Sequence, residues 1–183
     1  NTGVQRSGAT PPPARTATTQ PVGPEPGNQW GQGKNMARIA MAHEIPYVAT
    51  ATVADIRDLE YKVNKAMSFH GARYIHVLVP CPLGWGSASN LTVKLARLAT
   101  QSGLFPVFEA EDGEVTSVQK IRRKVPVEAY LRPQRRFAPL FKENADPEVL
   151  VRLQALADKN VKRYDLIDDE LADGSREPEN VEV

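Results

Sequence analysis

One thiol stands apart in this sequence. Cys81 is the sole cysteine of 183 residues and lies in Pro80-Cys81-Pro82-Leu83-Gly84-Trp85-Gly86. A thiolate is a nucleophile and a soft-metal ligand. Two glycines beside it let the backbone approach a compact group closely. A lone cysteine is also, more often, a small buried hydrophobe. Residue type therefore leaves ligation and burial both open.

The other groups with metal or acid–base capacity are His43, His70 and His76. None stands four residues from another, the spacing that would put two imidazoles on one helix face. His76 sits in an apolar run and reads as a core histidine, while His70 beside Gly71 reads as a helix end. For His43-Glu44, a cofactor-facing position and a capping role explain the residues equally. No Gly-x-Ser-x-Gly elbow, phosphate loop or dinucleotide fingerprint is present.

The elements that must hold these groups follow from periodicity. Met36, Ile39 and Ala40 share a helical face up to about His43, and Pro46 ends that helix before a short β-type run, Tyr47 to Thr50. Thr52 with Asp55 suits a helix start, followed by Ile56, Leu59, Val63, Ala66 and Met67 on one face and by Gly71 as its stop. Tyr74 to Val79 is a near-continuous apolar run, as expected of a strand buried on both sides in a parallel sheet. Ser87 or Ser89 is the expected cap of a helix through Leu91, Leu95, Leu98 and Ala99, which Gly103 terminates. Asp112-Gly113 between two β-type runs is a hairpin signal. Asp146-Pro147-Glu148 opens a last helix that carries Val149, Leu153, Leu156, Val161 and Tyr164. Alternating helices and strands followed by a hairpin predict an α/β fold with a mainly parallel sheet. Ligands of such sheets sit beyond the carboxyl ends of the strands. The Cys81 loop follows one of them directly.

With 41% hydrophobic residues the chain can bury an ordinary core. No apolar run approaches the roughly 20 residues of a membrane-spanning helix, and the start has no secretory pattern. A cytoplasmic protein without membrane contact is expected, and Asn90-Leu91-Thr92 then has no meaning as a glycosylation site. One thiol allows no intrachain disulfide. The net charge of +1 hides an acidic end, because residues 165–183 carry eight acidic side chains and one arginine. The basic stretch Lys120 to Arg136 could meet phosphates, but only Tyr130 and Phe137 could stack on bases. It reads as solvated surface, and no nucleic-acid partner is expected. An α/β interaction module, binding a partner through its arginines and acidic tail, is the reading of another class. Such a module has no need of Cys81.

Two stretches carry a resemblance. Asn1-Thr2-Gly3-Val4-Gln5-Arg6-Ser7, followed by Thr10-Pro11 and Ala14, resembles the thiamine-diphosphate loop of the pyruvate and 2-oxoacid:ferredoxin oxidoreductases. His76-Val77-Leu78-Val79-Pro80-Cys81-Pro82-Leu83-Gly84-Trp85 resembles the segment of their beta subunits that supplies the last cysteine to an iron-sulfur cluster. The similarity continues through Ala42 to Ala51, Leu104 to Glu109 and Pro126 to Phe137, so it spans nearly the whole chain apart from the acidic end. Gly8-Ala9 and Pro13 depart from the family, which often has a serine run and a glycine there. Proline cannot take the positive φ of glycine, so the loop path after Thr10 is expected to differ.

The resemblance implies the C-terminal part of a beta subunit with a three-layer thiamine-diphosphate-binding fold, incomplete in this chain. It implies residues 1–33 as a cofactor and substrate loop and 34–118 as the C-terminal part of the α/β domain. Beyond these it implies 119–165 as a basic, helical extension and 166–183 as an acidic flexible tail. Asn1 is implied to face the substrate and the reacting cofactor, with Thr2 and Gly3 in the same turn. Cys81 is implied to be one ligand of a 4Fe-4S cluster. The family's magnesium motif and remaining cluster cysteines are expected upstream of Asn1. The implied activity is coenzyme A-dependent oxidative decarboxylation of a 2-oxoacid, pyruvate being the commonest substrate, with electrons passed to ferredoxin. Alpha, gamma and delta type subunits are the implied partners. Aryl-glyoxylate and branched-chain 2-oxoacids are the alternative substrates.

Overall fold

Tyr47-Val48-Ala49-Thr50-Ala51-Thr52 forms strand β1, buried at all six positions. Such a run of β-branched, aromatic and small residues fits a pleated surface covered on both faces. The computed structural model describes Ala14 and residues 34–167. In it β1 pairs in parallel with β2 (Arg73–Leu78), with Thr50 opposite His76, and antiparallel with β3 (Phe108–Glu111). Strand β4 (Glu114–Val118) closes the Asp112-Gly113 hairpin against β3, giving the order β2-β1-β3-β4.

The α/β class is as expected from the sequence, but the pairing is mixed. Among the described residues one pairing is parallel and two are antiparallel. The helix between β1 and β2 returns the chain to the same end of the sheet, which parallel pairing requires. β3 enters from the opposite end, and nothing in its apolar run specifies direction. β2 also differs from the expected fully buried strand: Arg73 is exposed and Tyr74 to Leu78 are half-buried, because among the described residues it has a neighbour on one edge only.

Helices cover both faces of the sheet. On one side, Ala37 and Ala40 of α1 (Met36–Ala42) and Tyr164 of α6 (Pro147–Tyr164) pack with Val48, Phe108 and Ala110. On the other, Ala66 of α2 (Ile56–Met67) packs with Tyr47 and Ala49. The alternation of Tyr47, Val48 and Ala49 between faces is the period of two of a strand. Two expected helix faces are rotated. Met36 and Ile39 point outward, as do Ile56, Val63 and Met67. The inward positions of α2 are Ala66, which belongs to the expected face, and Lys62, whose amine donates to the Thr50 carbonyl at 2.9 Å and to Asp58 at 2.8 Å. Asp55, not Thr52, caps α2, its carboxylate accepting from the Asp58 amide at 3.0 Å. Thr52 ends β1.

A second core joins α4 (Thr92–Gln101), α5 (Val127–Leu131) and α6 through Leu95, Ala99, Val127, Leu131, Leu153 and Ala157, with Phe137 and Ala14 among them. Full burial of one large apolar side chain here contributes about 1.5–3 kcal/mol. Neither Ser87 nor Ser89 caps α4: a short 3-10 turn, Ser89–Leu91, leads into it, and no side chain caps its first turn. Asp146 caps α6 with Pro147 at its first position, as the sequence predicts. Beyond α6, Leu166 is buried and Ile167 bridges Ile121. Among the described residues no helix is long and apolar enough to cross a membrane.

Candidate functional site

Three residues past the carboxyl end of β2, the chain turns through a short helix, α3 (Pro82–Trp85). Cys81 is its N-cap. The sulfur accepts from the Gly84 amide at 3.4 Å, and the Cys81 carbonyl accepts from the Trp85 amide at 2.9 Å. Pro82 suits the first helical position because it lacks the amide that would there be unpaired. Gly86 ends the turn at φ +67, and a Cβ there would sit 2.7 Å from Cβ of Arg135. Glycine is therefore needed for both conformation and space. The Arg135 amide donates to the Gly86 carbonyl at 3.2 Å, which ties the loop to the segment after α5.

Cys81 is a free, half-buried thiol. Its neighbours Leu83 and Val79 are 96% and 54% exposed, apolar surface that flanks the sulfur. Behind it, Trp85 is buried and lies against the Arg136 guanidinium, 3.7 Å from the ring centroid. Arg136 donates through Nε to Gln134 at 2.8 Å and through Nη2 to the Tyr130 hydroxyl at 3.1 Å. Burial pushes the Arg136 guanidinium below its usual value, opposed by its interactions with Tyr130 and Cys81. Burial pushes the Tyr130 hydroxyl up despite the neighbouring guanidinium. A cavity of about 500 Å³ is lined by Trp85, Tyr130 and Arg136 from this region and by His76 and Leu78 from β2.

The other candidates are dispersed. His76 is half-buried and edge-on to Phe105 at 5.5 Å, and burial lowers its pKa. His43 caps the end of α1, Glu44 follows in the left-handed region at φ 51, and His70 is exposed. Asn1, Thr2 and Gly3 lie outside the described residues. Among the described residues no three His, Cys, Asp or Glu side chains converge as a metal site. Cys81 can thus offer one bond to a metal centre, and its amide-bonded sulfur on a tight, glycine-ended turn suits a thiolate ligand.

Sequence reasoning gave Arg136, Tyr130, Gln134 and Ser87 no place beside Cys81. The basic stretch reads as surface, and three of its cations meet partners elsewhere: Lys120 pairs with Asp165 at 2.6 Å, Lys124 with Asp158 at 2.7 Å, and Arg132 lies over Phe141. The aromatics Tyr130 and Phe137 around Arg136 are the signal that could have singled it out.

No family model matches the chain. It is 45% identical over 166 residues to the pyruvate synthase subunit PorB of Methanosarcina barkeri, covering 91% of this chain and 56% of that protein. It is 40% identical over 162 residues to PorB of Methanocaldococcus jannaschii, covering 88% of this chain and 52% of that protein. To the ketoisovalerate oxidoreductase subunit VorB of Pyrococcus abyssi it is 40% identical over 152 residues, 82% of this chain and 48% of that protein. The chain spans about half the length of these relatives. With the Cys81 turn set at the carboxyl end of a parallel strand pair in an α/β fold, the chain belongs to the PorB and VorB family of 2-oxoacid oxidoreductase subunits.

Proposed function

We propose that the chain acts within the beta subunit of a cytoplasmic pyruvate:ferredoxin oxidoreductase, where Cys81 is one thiolate ligand of a 4Fe-4S cluster. The reaction is decarboxylation of the 2-oxoacid with transfer of the acyl group to coenzyme A. Electrons leave through the clusters to ferredoxin. Thiamine diphosphate with Mg²⁺ supplies the electron sink for decarboxylation, and the cluster accepts electrons singly. In this reading Asn1 hydrogen-bonds to the substrate or the reacting cofactor, and Thr2 and Gly3 shape the same turn. Alpha, gamma and delta type subunits complete the enzyme.

The observation that carries the reading is the Cys81 turn. Its sulfur is held by an amide, its loop is fixed by Gly86 and Arg135, and a buried cation lies behind it. A cysteine that served only as core would need none of these. In the complete complex, Cys81→Ser should lower iron and acid-labile sulfide, perturb one cluster's electron paramagnetic resonance signal and abolish most pyruvate-dependent ferredoxin reduction. Thiamine diphosphate should remain bound. Unchanged iron, sulfide and ferredoxin reduction would overturn the assignment. The likeness to VorB, at 40% identity, favours a branched-chain 2-oxoacid as the second reading. Comparing kcat/KM for pyruvate and for 2-oxoisovalerate decides between the two.

A further inference from the structure

The cavity of about 500 Å³ that Arg136 lines is also lined by Lys34 and Arg38 from the start of α1 and by Lys159 and Arg163, one turn apart near the end of α6. Ala37 and Tyr164 pack in one cluster and so set these two helix ends side by side. Among the described residues no Asp or Glu lines the cavity. Every ion pair among them uses Lys62, Lys65, Lys120, Lys124 or Arg152, so none of the five cations around this space has a carboxylate partner there. Like charges gathered around one space repel, and a bound anion offsets that repulsion.

Four of the five cations are exposed, while Arg136 is 4% exposed. Its guanidinium stacks on Trp85 at 3.7 Å and donates through Nε to Gln134 and through Nη2 to Tyr130. Nη1 is enclosed and has no hydrogen-bond partner among the described residues. A buried donor without an acceptor is costly, more so when it is charged, so the cavity holds a cation with one bond still to make. The volume falls within the roughly 300–1,000 Å³ of small-molecule sites. Leu104, Phe105 and Leu156 add apolar wall beside the charges. A carboxylate would bring a single charge to five cations. A phosphate group brings up to two, with three acceptor oxygens that match a guanidinium fork. We infer that this cavity binds an organic phosphate ester: a phosphoryl oxygen accepts from Arg136 Nη1, the four exposed cations meet the remaining charge, and the organic part lies on the Phe105 wall. The site does not depend on the cluster reading of Cys81.

The test uses the complete complex with its thiamine diphosphate sites filled, so that inorganic pyrophosphate reports a further site. Calorimetric titration with pyrophosphate is run on the native complex, on Arg136→Met and Arg136→Lys, and on the double variant Lys159→Ala with Arg163→Ala. The native complex should bind pyrophosphate saturably. Arg136→Met should weaken that binding about tenfold, the share of one charge-assisted hydrogen bond, and Arg136→Lys should recover part of it. The double variant should weaken it about threefold at low salt and less at high salt, because its charges are exposed. No saturable binding to the native complex, or native affinity in Arg136→Met and the double variant alike, overturns the inference. If Arg136→Met does not assemble, the double variant decides alone, since its positions are exposed. Competition then identifies the ester. Displacement of pyrophosphate by ADP and coenzyme A alike assigns a nucleotide, and displacement by coenzyme A alone assigns a ligand that needs the pantetheine arm. Displacement by neither removes organic phosphates from the cavity and overturns the inference.

Discussion

Two of the buried charges among the described residues sit under opposite conditions. Glu109 on β3 accepts from the Tyr47 hydroxyl at 2.7 Å and pairs with Lys65 at 3.0 Å, and Lys65 reaches Glu111 at 2.9 Å as well. Arg136 behind the Cys81 turn has, among the described residues, partners for two nitrogens and none for the third. The first is a closed network whose groups satisfy one another. The second leaves one buried nitrogen unsatisfied among the described residues.

The comparison is broken most directly at Glu109. Glu109→Ala leaves Tyr47 and Lys65 without their shared acceptor, and removal of one partner from a buried pair is strongly destabilising. Lys65 is partly exposed and keeps Glu111, so the expected loss is at the low end of that range, about 3 kcal/mol. It should appear as a lower denaturant midpoint of the complex with its cluster potentials unchanged. A midpoint equal to that of the native complex would remove the contrast between the two regions.

Gly86→Ala tests the other side. Left-handed backbone costs a residue with a side chain about 1–2 kcal/mol, and the new Cβ meets Arg135 as well, so a loss of about 2 kcal/mol is expected. Here iron content and the signal of the cluster assigned to Cys81 should change together with stability. Cluster signals identical to native would separate the turn from the metal site.

The smallest effect is a pH dependence. Burial by itself would raise the Glu109 carboxyl, but the hydrogen bonds from Tyr47 and Lys65 and the lysine charges outweigh it and hold the carboxyl below its usual value. Its contribution to stability is therefore fully present above the ordinary glutamate value of about 4.5 and is lost as pH falls through the depressed folded value. Glu109→Gln should flatten that part of the stability profile. A slope that survives the substitution belongs to other carboxylates.

Local signals with a fixed backbone meaning were legible in the sequence. Asp112-Gly113 gave the hairpin because a tight turn needs positive φ, found at both residues, and Asp146-Pro147 marked the start of α6. Gly86, one of the two glycines beside Cys81, likewise ends its turn in the left-handed region, at φ +67. What stayed hidden depends on long-range partners. Lys62 turns inward because a β1 carbonyl awaits its amine, and Arg136 is buried because Trp85, far earlier in the chain, supplies a face to stack on. A hydropathy pattern sees a charge in both cases and assigns it to water. Strand direction was hidden too, for an apolar run reads alike in either sense.

β1 sits between β2 and β3 with every residue buried, while β2 and β4 each have one strand neighbour among the described residues. Amides of edge strands exchange deuterium through small local openings, whereas those at the centre of a sheet wait for the whole unit to open. The amides of Ala49 and Ala51 are thus internal clocks for this fold: their exchange reports global opening, and whatever slows it has been stabilised as a unit.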